Sequence, residues 1–209
     1  MRSAALMRHL VPSIPAPGLS ALVAPEPIPL WEALEAELGM HLPPPFFGHA
    51  WPGCLALIEA LRTAPHLVRG LEVLDFACGG GLAGIVAAQL GATVTCNDID
   101  PLALDVVRLN AALNAVELEA TSRDLIGEDA GWAVVLVGDV FYEAELAARV
   151  TRWLHALVAR GAMVLVGDPG RQFLPIDQVS LHATHPVRVW PAWDSVVDRP
   201  ARVWRWRAA

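Results

Sequence analysis

The stretch Val73-Leu74-Asp75-Phe76-Ala77-Cys78-Gly79-Gly80-Gly81-Leu82-Ala83-Gly84 runs an apolar segment into a carboxylate, three consecutive glycines and a helix-forming run. Strand, acid, glycine turn and helix, in that order, are what a nucleotide-type cofactor needs at the carboxyl end of a parallel sheet. Gly79, Gly81 and Gly84 satisfy G-x-G-x-x-G, the dinucleotide fingerprint, which alone is a weak signal. A dinucleotide turn holds a pyrophosphate with backbone N–H groups and a helix dipole. Asp75 at such a turn would repel that pyrophosphate and attract a cation.

On either side of this stretch the chain alternates strand and helix patterns. Leu71–Asp75 reads as a strand, Leu82–Leu90 as a helix stopped by Gly91, and Ala92–Asn97 as a β-branched strand. Asp100-Pro101 caps and opens a helix to Asn114. Leu118–Ser122 is a short strand and Trp132–Val137 the central one. Glu143–Ala159 is a helix stopped by Gly161, and Ala162–Gly167 another strand. Val179–Thr184 and Val203–Arg207 read as a terminal antiparallel pair, with Trp204 and Trp206 inward against Arg205 and Arg207. The expected fold is α/β: a Rossmann-like, seven-stranded, mostly parallel sheet with helices on both faces and a C-terminal antiparallel hairpin. Before it, residues 1–30 are Pro-rich and read as an extended wrap with one short helix near Ala4–Leu10. Helices are expected over Ile28–Gly39 and from Trp51-Pro52 onward, the latter burying Leu55, Ile58 and Leu61. Residues 1–45 form an N-terminal extension and helix, and 46–209 a single globular unit.

Composition narrows the function classes. The chain of 209 residues is 55% hydrophobic, with a net charge of −7 and a mean hydropathy of +0.43. No apolar run approaches the roughly 18 residues of a membrane span, so doubly buried strands account for the hydrophobicity. The acidic balance argues against nucleic acid as partner and suits a basic protein surface. Cys54, Cys78 and Cys96 have no C-x-x-C spacing, and His182-x-x-His185 has no acid or cysteine at ligand spacing, so no metal is expected. Met1–Ala24 is free of acidic residues, but Pro12, Pro15 and Pro17 break any long amphipathic helix; a cytoplasmic, monomeric enzyme is the expectation.

Two further acids belong with the glycine turn. Asp98, 19 residues past Gly79, sits where a carboxylate accepts hydrogen bonds from both hydroxyls of a ribose. Asp124, after the third strand, either meets an adenine amino group or is a surface-turn acid. Directly after the central strand, Gly138-Asp139-Val140-Phe141-Tyr142 places a carboxylate and two aromatics where an incoming nucleophile would meet the cofactor.

Asp75-x-Ala77-x-Gly79-x-Gly81 resembles the first motif of S-adenosyl-L-methionine methyltransferases, whose middle small residue is usually Gly. Asp139-x-x-Tyr142 resembles the Asp/Glu-x-x-aromatic motif of seven-β-strand protein lysine methyltransferases. The wider pattern is similar to the branch that modifies the electron-transfer flavoprotein β subunit: Pro29-Leu30-Trp31-Glu32, Pro44-Pro45-Phe46-Phe47, Ala50-Trp51-Pro52-Gly53, Asn97-Asp98-Ile99-Asp100-Pro101 and Gly167-Asp168-Pro169-Gly170-Arg171 all match. The resemblance spans about residues 28–207. It implies S-adenosyl-L-methionine as cofactor, held by Trp51, Asp75, Ala77, Gly79, Gly81, Asp98 and Asp124. It implies Asp139 and Tyr142 as catalytic, Phe141 and Arg171 as substrate-binding, and that flavoprotein subunit as protein substrate; a small molecule or ribosomal protein is the alternative. Arg171 either contacts substrate or braces its loop. Ala77 departs from the motif, and its methyl group calls for an ordinary backbone conformation. His49, where the family tends to be apolar, reads as a solvated loop histidine.

Overall fold

A computed structural model describes residues 3–188 and 198–208; Met1, Arg2 and Ala209 lie outside the described residues. The strands are β1 (Val11–Ala16), β2 (Leu19–Val23), β3 (Glu72–Phe76), β4 (Thr93–Asn97), β5 (Glu119–Thr121), β6 (Val134–Gly138), β7 (Met163–Asp168), β8 (Val179–Arg188) and β9 (Asp198–Trp206). The α-helices are α1 (Ala4–His9), α2 (Pro27–Leu38), α3 (Pro52–Thr63), α4 (Leu82–Gln89), α5 (Pro101–Leu113) and α6 (Ala144–Arg160). Seven strands form one sheet in the order β5-β4-β3-β6-β7-β9-β8, with β6 at the centre. β5, β4, β3, β6 and β7 pair in parallel; β9 runs antiparallel to both neighbours, β7 and β8.

Both faces of the sheet are covered, which is why its strands are apolar throughout. Val73, Val134, Leu136 and Leu165 point to a core shared with α3 and α4. Leu74, Val135, Val137, Val164 and Val166 point the other way, onto Val150, Trp153, Leu154 and Leu157 of α6. Trp206 is buried on that second face and Trp204 packs beside it, the inward tryptophans expected of the tail.

The helix boundaries follow local chemistry. Asp100 Oδ1 accepts the Leu102 N–H at 2.9 Å and Pro101 opens α5. Gly161 closes α6 in the left-handed region at φ 107°. The N-terminal segment holds more structure than an extended wrap. β1 and β2 form an antiparallel hairpin, and α1 and α2 pack with Phe47 on Ala103 and Val106 of α5. Asn110 of α5, fully buried, joins this layer to the glycine loop. Its Oδ1 accepts Leu22 N–H at 2.8 Å while its Nδ2 donates to Gly80 O at 2.9 Å.

Candidate active site

The carboxyl ends of β3, β4 and β6 open onto a cavity of about 410 Å³, within the range of small-molecule and cofactor sites. Ala77, Gly79, Asp98, Asp124, Asp139, Tyr142, Trp51 and Arg171 all line it, although the sequence disperses them over 121 positions from 51 to 171. Asp98 closes the glycine turn: its Oδ2 accepts Gly79 N–H at 2.9 Å and its Oδ1 accepts Asp100 N–H at 3.0 Å. Each carboxylate oxygen keeps a second lone pair for a ligand hydroxyl. Burial raises the Asp98 pKa above the ordinary carboxylate value.

Asp75 and Gly81 are not among the cavity-lining residues. Asp75 turns beneath the loop, 3% exposed, and its Oδ2 accepts the Gly84 N–H of α4 at 2.7 Å. It braces the turn rather than facing a ligand. Burial lifts its pKa to about 7. The folded value lies above the unfolded 3.8, so unfolding releases a proton and stability falls as pH rises through this window, the loss complete above about 7. Asp75→Asn keeps an acceptor for Gly84. Its stability advantage over the wild type is expected to be about 2–3 kcal/mol larger at pH 8 than at pH 5 in thermal melts. An advantage that does not change with pH would show that ionisation of Asp75 is not the source.

Ala77 corrects a second expectation. Its φ is 51°, in the left-handed region, so the position has the conformation glycine normally supplies despite its methyl group. Ala77→Gly should therefore stabilise the fold by about 1 kcal/mol, a rise of about 3 °C in Tm. An unchanged or lower melting point would refute the strain.

At the far wall, Asp139 follows β6 and is 7% exposed, with its own φ at 59°. Arg171 Nη2 donates to its Oδ1 at 2.7 Å and Cys54 N–H donates to its Oδ2 at 3.1 Å. Burial raises the Asp139 pKa to about 6 even though Arg171 pulls it down. Trp51 stands beside it at the start of α3, its indole N–H donating to Phe46 O at 2.8 Å. Phe46 meets the Trp51 and Tyr142 rings edge-on, with centroids at 5.8 and 6.1 Å. Tyr142 is 50% exposed. Phe46, Trp51 and Tyr142 thus form an aromatic mouth next to one buried carboxylate.

Phe141 is not in this mouth. It is fully buried and stacks on Trp206 at 6.1 Å, so it supports the site from the core instead of meeting a substrate. His49 is also buried, not solvated, and its ring meets Trp51 at 4.7 Å. Asp124 is exposed and paired to Arg149 Nη2 at 2.7 Å, which lowers its pKa. Ile99, Ile126 and Leu146 add apolar wall to the cavity that the sequence reading did not single out. An apolar side chain between Asp98 and Asp100 is the sequence signal for Ile99.

Four carboxylates line the cavity, Asp98, Asp100, Asp124 and Asp139, against two arginines that are each already paired to one of them. The net negative charge there would repel a pyrophosphate and attract a cationic cofactor that bears a ribose and a flat base. The donor set thus fits S-adenosyl-L-methionine better than a dinucleotide. Behind the loop, Asp75, Cys78 and Cys96 bring ligand-type atoms within 4.8 Å of one another, but burial pushes the Cys78 thiol well above its ordinary pKa.

Similar proteins share this architecture. The chain is 44% identical over 131 residues to an electron transfer flavoprotein beta subunit lysine methyltransferase of Xenopus laevis, covering 61% of this chain and 53% of that protein. The human protein of the same name is 37% identical over 145 residues, 68% of this chain and 54% of its own length. The chain therefore spans about half the length of these relatives. Among solved structures, magnesium protoporphyrin IX methyltransferase of Synechocystis with bound SAH superposes with a TM-score of 0.56 at 19% identity, covering 75% of this chain and 81% of that one, a likeness of fold. The family model for ribosomal protein L11 methyltransferase (PrmA) matches residues 51–164. With more than half its length inside that match, spanning the glycine turn, Asp98 and Asp139, the chain belongs to the ribosomal protein L11 methyltransferase (PrmA) family.

Proposed function

We propose that the protein transfers a methyl group from S-adenosyl-L-methionine to lysine side chains of a protein, the electron-transfer flavoprotein β subunit. The observation that carries this reading is Asp139, a buried carboxylate inside an aromatic mouth on the wall of a cofactor-sized cavity. The names of the relatives at 36–44% identity support the substrate. Residues 46–209 are the catalytic unit, with 1–45 an extension packed on α5. The acidic balance supports a reading without nucleic acid. No described helix is long and apolar enough to cross a membrane; a monomer in the cytoplasm remains part of the proposal.

When bound, S-adenosyl-L-methionine supplies an electrophilic methyl group on a sulfonium. Gly79 and Ala77 form the turn that would face its amino-acid part, Asp98 would accept its ribose hydroxyls, and Ile99, Ile126 and Leu146 would hold its base. Asp124 borders the base slot from the rim. Trp51, Phe46 and Tyr142 exclude water around the incoming amine, which favours its neutral form. Asp139 accepts a hydrogen bond from the amine and aims its lone pair, so that positioning lowers the barrier. The amine proton leaves to solvent.

The test is incubation of the purified protein with S-adenosyl-L-methionine and the flavoprotein β subunit, followed by mass spectrometry of its lysines. Methylated lysines are the expected result. Methylation absent there but present on a ribosomal protein would favour the second reading, which the family match itself supports. Cofactor binding with no lysine modified on any protein would move the assignment to a small molecule.

A further inference from the structure

The aromatic mouth already contains a cation belonging to the chain. Arg171 donates to Asp139 Oδ1 at 2.7 Å, and its guanidinium carbon stands 5.5 Å from the centroid of the Trp51 ring. A carboxylate and an indole face are the partners a primary ammonium seeks, through a charge-assisted hydrogen bond and a cation–π contact. An ammonium approaching Asp139 along this mouth meets Arg171 seated on both.

A second acceptor for the guanidinium lies close by. Asp168, at the end of β7, is fully buried. Its Oδ1 accepts the N–H groups of Gly170 and Arg171, both at 2.6 Å, which folds the loop back and carries Arg171 to the site. Its Oδ2 has no hydrogen-bond partner among the described residues, and neither has Arg171 Nε. A buried carboxylate oxygen without a donor is unfavourable, and a guanidinium has five N–H groups in a fixed fork with which to satisfy two acceptors in turn.

We propose that Arg171 occupies the position of the substrate ammonium, and that an entering lysine displaces it from Asp139 onto the unpartnered oxygen of Asp168. The inference rests on the lysine-methyltransferase reading and adds a specificity device to it. No bond is made or broken in the exchange. Asp139 trades one cation for another, and Asp168 receives the displaced one. Because Arg171 competes for Asp139, a bare amine binds weakly. Apparent affinity falls by the fraction of time the position is open, so a position open one-tenth of the time weakens binding about tenfold. A lysine carried on a docked protein surface overcomes that competition through contacts elsewhere.

Titration calorimetry of the full chain with n-butylammonium chloride, a lysine side-chain surrogate, tests this. Arg171→Gln, which keeps the length and loses the charge, should bind the probe about tenfold more tightly than wild type. Arg171→Ala should do the same, and it keeps the test open if one variant folds poorly, as judged by its thermal melt. Asp168→Asn should bind the probe more weakly, since the displaced guanidinium loses its charged acceptor. Equal or weaker binding by both Arg171 variants overturns the proposal and leaves the lysine reading standing, with Arg171 helping to hold the amine. No binding by wild type or either Arg171 variant overturns both.

Discussion

Asp139→Asn should cut methyl transfer by roughly a thousandfold while S-adenosyl-L-methionine still binds with near-wild-type affinity. The separation follows from geometry. The residues that would hold the cofactor come from the glycine turn, the end of β4, the segment after β5 and the start of α6, whereas Asp139 lies past β6 and is tied to Cys54 and Arg171. An amide of the same shape can still accept from Cys54, so the fold survives. It has no charge for Arg171 and is a poorer acceptor for an amine. The same role sets a pH limit. The Asp139 pKa is raised to about 6 by burial, so protonation below that pH removes the carboxylate and transfer falls as pH drops through 6. In the Asn variant that acidic limb should vanish from whatever residual rate can be measured. Calorimetry for cofactor binding and single-turnover methylation for the chemistry separate the two functions. Transfer at the wild-type rate would end the role assigned to Asp139.

The second large effect lies in the support of that carboxylate. Gly53 in the first turn of α3 and Gly167 in β7 approach backbone to backbone. A Cβ at Gly53 would overlap the Gly167 carbonyl and come within 2.5 Å of Asp139 Oδ2, and a Cβ at Gly167 would overlap the Gly53 carbonyl. Neither obstacle is a flexible side chain that can swing aside, so helix and strand must separate. Gly53→Ala should destabilise the protein by about 3 kcal/mol, lowering Tm by about 6–12 °C. It should also reduce methyl transfer in the fraction that remains folded, because Asp139 shifts with α3. Gly138→Ala is the control: its Cβ would stand 3.4 Å from Cys54 N, an ordinary contact, and its melting point should stay near wild type. Equal melting points for Gly53→Ala and Gly138→Ala would remove the argument from close approach.

The sheet was readable because its chemistry is local. β4, β6 and β7 are short runs rich in β-branched residues, and the helices carry stops or caps such as Asp100-Pro101 or Gly161. The hairpin of β1 and β2 was not legible because the prolines of residues 1–30 read as an extended wrap with no partner strand. The signal was Pro17-Gly18 between Ala16 and Leu19, which pair across the turn; Gly18 has φ 65°, the second central position of a type II turn. At the site, the residues that converge lie just past strand ends, where a parallel sheet gathers them whatever their spacing in sequence. What could not be read was which way each one turns. Asp75 is the penultimate residue of buried β3 and faces α4, and the positive φ of Asp139 breaks the alternation that would otherwise predict the facing of Phe141.

The order β7-β9-β8 also bears on how the chain is made. The strand synthesised after both of its neighbours is the one that lies between them. Without β9, β7 presents a bare outer edge and β8 has no strand to join. Both are templates for pairing with another nascent chain. A chain cut short anywhere in β9 should therefore aggregate instead of being merely weakened.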